Sequence, residues 1–128
     1  MLDLNHPLVT IGVLSWNRLS YLRATLESAR CCIQYPNLEW IVSDNESEEL
    51  GLKEYLQSCS WVTHRIFKRQ THADAMNQIV NMASGEYLIL WPEDVQFTIQ
   101  GDWLVDLVEI MGRNPWIGSV GLDYQREV

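Results

Sequence analysis

The sequence predicts an α/β protein with three layers, α/β/α, built on a mostly parallel sheet covered on both faces. Three observations carry this. Short apolar runs rich in β-branched residues alternate with longer segments whose apolar residues recur every three or four positions. The first two such runs are mostly apolar without strict alternation, as strands buried on both faces are. Turn signals separate the segments, and no internal repeat, linker or low-complexity stretch interrupts them.

"LVTIGVLS" (8–15) reads as the first buried strand. In 16–35, Leu19, Leu22, Leu26, Ala29 and Ile33 mark an amphipathic helix, with Asn17 or Ser20 as its expected cap. "YPN" turns the chain into a second strand, "LEWIVSD" (38–44). Residues 45–58 then read as a helix with acidic residues early and Lys53 later, as a helix dipole prefers. "WVTHRIFKR" (61–69) alternates and predicts a strand nearer the edge. Residues 71–84 predict a helix capped by Thr71, stopped by Gly85, with Ala75, Ile79, Val80 and Met82 or Ala83 on its apolar side. "EYLILW" (86–91) is the fourth strand, 101–114 a helix that Asp102 would cap, and "WIGSVGLDY" (116–124) a last strand.

The 128 residues suit one domain with one core, and 47% hydrophobic with 20% charged residues is ordinary for a folded chain. No apolar run approaches the roughly 20 residues of a membrane span. "MLDLNHPLVTIG" lacks a basic region followed by an apolar one, so no secretory signal is expected. Cys31, Cys32 and Cys59 form no CxxC pair and predict reduced, buried or half-buried thiols in a cytoplasmic setting. A net charge of −8 argues against general nucleic-acid binding. It leaves room for one nucleotide in one pocket, where a metal ion can add positive charge.

Parallel sheets bind ligands beyond the carboxyl ends of their strands. The expected site therefore lies among Ser15 to Arg18, Ser43 to Ser47, Arg69 to His72 and Pro92 to Val95. Carboxylates there can hold a base, a ribose or a metal-bound diphosphate. Other nucleotide folds lack their marks: there is no GxxxxGK[ST] and no GxGxxG after the first strand. A phosphorelay receiver would need an acidic pair after the first strand and a lysine after the last, and "LSWNR" and "GLDYQ" supply neither.

The order "VTIGVLSWNR", "LEWIVSDNES", "HADAMNQIVNMASGEYLILWPEDV" resembles the family 2 glycosyltransferases of the GT-A fold, over residues 8 to about 97. The resemblance implies a nucleotide-sugar-binding domain over 1–128, truncated, with the acceptor-binding half largely absent. It implies transfer of a sugar from a nucleotide-diphosphate donor, such as a UDP-sugar, to an acceptor hydroxyl, with inversion and a divalent cation, Mn or Mg. The acceptor class stays open among saccharide, lipid-linked glycan and protein.

The resemblance also assigns roles. Asp44 would accept from the base; Ser15 and Asn17 would touch the nucleoside, although Asn17 serves equally as a helix cap. Arg69 and His72 would lie near the nucleotide. Asn77 would touch the ligand or tie its helix to a strand. Asp94 matches the metal-binding last Asp of the Asp-x-Asp motif, and Glu93 fills its middle slot. Pro92 departs from the pattern at the first Asp. The 34 residues after Asp94 (128 − 94) carry Asp102, Asp106 and Asp123, none of them expected as the general base. The alternative is a non-catalytic module that binds nucleotide sugar or a partner protein. Six tryptophans, mostly core, leave a homodimer surface as a further expectation.

Overall fold

The structure, a computed structural model, describes residues 6–121. Its elements run β1 (Val9–Ser15), α1 (Leu19–Cys32), β2 (Leu38–Asp44), α2 (Leu52–Ser58), β3 (His64–Phe67), α3 (His72–Met82), β4 (Tyr87–Pro92) and α4 (Trp103–Arg113). The four strands form one parallel sheet in the order β3-β2-β1-β4. β1 and β2 are buried along nearly their whole length, as their mostly apolar runs suggest, and β3 is the expected edge.

Alternate residues of the central strands feed two cores. Val9, Ile11, Val13, Trp40, Val42 and Trp91 face one side, where Leu22, Leu26 and Ala29 of α1 meet Leu52 and Leu56 of α2 and Leu104 and Val108 of α4. Leu14 and Ile41 face the other side, against Ala75 and Ile79 of α3. That is the three-layer arrangement. Each fully buried Leu or Ile here contributes roughly 1.5–3 kcal/mol relative to exposure. α3 approaches the sheet closely because Gly12 has no side chain; a Cβ there would lie 2.6 Å from Ile79 Cγ2.

Several element ends differ from the sequence expectation. Neither Asn17 nor Ser20 caps α1: Arg18 holds the N-cap position without a side-chain bond, and Leu19 N donates to Glu49 Oε2 at 2.7 Å. α2 starts only at Leu52, after Gly51 turns at φ 87°, because residues 47–49 are drawn into side-chain bonds with Asn17 and Asp44. Lys53 therefore lies in the first turn of α2, opposite to the expected dipole arrangement. Thr71 does cap α3, accepting from Asp74 N at 3.1 Å. Gly85 does not end that helix, which closes at Met82; Gly85 instead lets the chain pass Thr10, where a Cβ would meet Thr10 N at 2.6 Å. Val80 is 52% exposed: α3 buries Ala75 and Ile79 against the sheet, with Met76, Met82 and Ala83 packed beside them.

Asp102 stands at the start of α4 but makes no side-chain cap bond. Residues 116–121 form no strand, and the rest of the expected last strand, with Asp123, lies outside the described residues. Cys32 and Cys59 are buried and Cys31 is exposed, against the expectation of burial for all three. Trp40 is buried, and Trp103 packs on the same core, stacked on Phe97 at 6.0 Å. Among the described residues no helix is long and apolar enough to cross a membrane.

Candidate functional site

Register brings the strand ends together. Ser15 is paired with Asp44, Leu14 with Pro92, and Asp44 with Phe67. Beyond these ends lies a recess of about 350 Å³. Leu14, Ser15, Trp16 and Arg18 line it from the end of β1 and the start of α1, and Ser43 and Asn45 from the end of β2. Lys68 and Gln70 follow β3, Thr71, His72 and Ala75 open α3, and Pro92 and Glu93 close β4.

The sequence-predicted site residues divide in two. Ser15, His72 and Glu93 line the recess; Asn17, Asp44, Arg69 and Asp94 do not. Asp44 is 1% exposed and lies at the base of the loop 45–47. Its Oδ1 accepts from Ser15 Oγ at 2.9 Å and Ser47 Oγ at 2.6 Å, and its Oδ2 from Ser47 N at 2.8 Å. The carboxylate thus fixes the β1 and β2 exits together. Asn17, at φ 50°, accepts at Oδ1 from Glu48 N at 2.6 Å and Glu49 N at 3.3 Å. Arg69 points to Glu46 at 3.7 Å, both exposed. Asn77, on α3, does not line the recess either.

Glu93 is held from α1. Its Oε1 accepts from Arg18 Nε at 3.0 Å and Nη2 at 2.7 Å, and its backbone carbonyl accepts from Thr25 Oγ1. Asp94, half exposed, has Oδ2 3.9 Å from Arg18 Nη2. Trp16 and Arg18 fall within the strand-end stretch Ser15 to Arg18 where the site was expected, and Lys68 directly precedes the stretch Arg69 to His72, but none of the three was assigned a role. Trp16 is 55% exposed and lines the recess. "SWNR" and "KRQTH" marked their positions as strand ends, but nothing in the sequence pairs Arg18 with a residue 75 positions away.

The donor set does not fit a cation held by the protein. Pro92 offers no ligand, Glu93 already serves a guanidinium, and Asp94 faces the same guanidinium. Among the described residues no three His, Cys, Asp or Glu side chains gather as a metal site. Among the residues that line the recess, Arg18 and Lys68 are the arginine and lysine side chains and Glu93 is the carboxylate, in a chain of net charge −8.

Strand order, recess position and lining together define an α/β domain of the GT-A type. The chain belongs to glycosyl transferase family 2, whose sequence profile matches residues 10–125. It is 34% identical over 120 residues to protein y4gI of Sinorhizobium fredii, covering 90% of this chain and 13% of that protein. It is similar in fold to S. aureus TarS 1–349, with TM-score 0.67 and 18% identity, over 84% of this chain and 33% of that one. TarS has been solved with UDP and with UDP-GlcNAc. The mannosyltransferase PcManGT of Pyrobaculum calidifontis, solved with GDP-Man and Mn2+, has TM-score 0.67 and 22% identity, over 83% of this chain and 32% of that one. The chain thus spans about an eighth of the curated relative (13%) and a third of these solved structures.

Proposed function

We propose that this chain is the donor-binding part of a family 2 glycosyltransferase and that its recess holds the nucleotide diphosphate of a sugar donor. The observation that carries this reading is the combination in one recess of an exposed indole, Trp16, and two cations, Arg18 and Lys68, at the carboxyl ends of parallel strands. An aromatic face stacks any nucleobase, and guanidinium and ammonium groups meet a diphosphate. Solved relatives of the same fold hold UDP, UDP-GlcNAc or GDP-Man. Ser15, Asn45 and His72 supply the polar contacts to ribose and phosphate, while Asp44 and Asn17 act from outside the recess by fixing the loop 45–49. The three free thiols suit a reducing, cytoplasmic setting.

A second reading, donor binding without turnover by this portion alone, has its own support. Among the described residues Glu93 is the single carboxylate lining the recess, and Arg18 occupies it. An acceptor hydroxyl therefore finds no uncommitted carboxylate there to serve as base. Calorimetry with UDP and GDP tests the shared claim: saturable binding of either supports it, and silence at millimolar concentration overturns it. Release of free sugar from a UDP- or GDP-sugar then separates turnover from binding.

A further inference from the structure

We propose that Arg18, fixed by Glu93, is the built-in positive charge that meets the donor's diphosphate, so that nucleotide diphosphate binds this chain without a divalent cation. The inference rests on the donor-binding reading above and concerns how that site balances charge.

The geometry has three parts. First, the carboxylates that a cation would need are committed or opposed. Glu93 Oε1 takes two bonds from Arg18, and Asp94 Oδ2 lies 3.9 Å from the same Nη2. A divalent ion on Asp94 would sit beside a guanidinium held by Glu93, and like charges repel at such range, less so where solvent screens them. Second, the guanidinium keeps donors to spare. Glu93 engages Nε and Nη2, and no hydrogen bond among the described residues engages Nη1. Arg18 remains 46% exposed and lines the recess. A planar group with fixed orientation and free N–H bonds suits phosphate oxygens. Third, Arg18 does not act alone. Lys68, beyond the edge strand β3, lines the same recess and has no ion-pair partner among the described residues. Glu93 is the positioning residue: it is 8% exposed at its side chain, and Thr25 fixes its backbone from α1.

The test is titration calorimetry on the full chain with UDP, GDP and the corresponding monophosphates, in EDTA and again in excess Mn2+. The expected result is a diphosphate affinity that agrees within about threefold between the two conditions. Arg18→Gln should then cost about tenfold or more for the diphosphates, the scale of a lost charge-assisted bond. It should cost clearly less for the monophosphates, and Arg18→Lys should recover part of the loss. Lys68→Gln should weaken the diphosphates in the same direction. Thermal melts of each variant distinguish a lost contact from a lost fold. Diphosphate binding that appears only with Mn2+, or that ignores Arg18→Gln, overturns the inference and leaves the donor-binding reading standing. Binding of neither diphosphate under either condition overturns both.

Discussion

Thr10 Oγ1 donates to Glu39 Oε1 at 2.7 Å, joining the two central strands near their starts, at the end of the sheet away from the recess. The same carboxylate oxygen accepts from Ser84 N at 2.8 Å, and Thr10 Oγ1 accepts from Gly85 N at 2.9 Å. One buried carboxylate thus ties the turn after α3 to β1 and β2.

Burial pushes the Glu39 carboxyl up, but the bonds from Ser84 and Thr10, aided by His64, outweigh it and leave it below the ordinary 4.5. A depressed carboxyl contributes stability that is complete above its unfolded-state value and is lost as pH falls through the folded value. Tm should therefore drop with acid below about pH 4.5. Glu39→Gln should lower Tm at pH 7, by about 1–3 kcal/mol of unfolding free energy, and should flatten that acid limb. A Glu39→Gln protein whose Tm parallels the parent's from pH 7 to 3 would contradict the assignment.

Gly85 and Gly12 separate two kinds of crowding. A Cβ on Gly85 would meet Thr10 N and Oγ1 at 2.6 Å and Tyr87 O at 2.8 Å, mostly backbone that cannot yield. A Cβ on Gly12 would meet side-chain atoms of Ile79 and Leu90 at 2.6 and 2.9 Å, which can shift. Overpacking costs about 1–3 kcal/mol. Gly85→Ala is expected at or above the top of that range and Gly12→Ala within it. Urea unfolding of the two variants measures the difference, and the reverse order would sink the argument.

These cases also explain what the sequence disclosed. Leu22, Leu26, Ala29 and Ile33 were legible because burial of one helix face imposes a period on the chain, and all four are buried. β1 and β2 were legible because both faces are covered. Local propensity fails where distant partners decide. α2 starts late because Asn17 and Asp44 take the amides of residues 47–49. Val80 looks like a core residue beside Ile79, yet Ile79 is the one that meets Gly12 and is buried, while Val80 is 52% exposed. In the recess, strand ends marked the place correctly, but Arg18 acquires its partner Glu93 only once β4 lies beside β1.

Asn17 tests the loop. Its φ of 50° is tolerated by asparagine and glycine better than by other residues. Its Oδ1 holds Glu48 N and Glu49 N. Asn17→Gly removes the bonds and keeps the backbone, whereas Asn17→Ala removes the bonds and adds strain. Asn17→Ala should therefore lose about 1–2 kcal/mol more, and both should speed hydrogen exchange at the amides of 48 and 49. Equal stabilities would place the cost in the bonds alone.

Trp16 tests the nucleobase end of the recess. It is 55% exposed, so Trp16→Ala should leave Tm nearly unchanged, while Trp40→Ala, at a 5% exposed core position, should lower it severely. Stacking on an aromatic ring is worth about 1–3 kcal/mol per base, so Trp16→Ala should weaken UDP and GDP by about 5- to 150-fold. Trp16→Phe should retain most of the affinity, because the ring face and not the indole N–H makes the contact. The parent's tryptophan fluorescence should change on nucleotide addition, and that change should be lost or reduced in Trp16→Phe although binding persists by calorimetry. If Trp16→Ala binds as tightly as the parent, the base lies elsewhere in the recess.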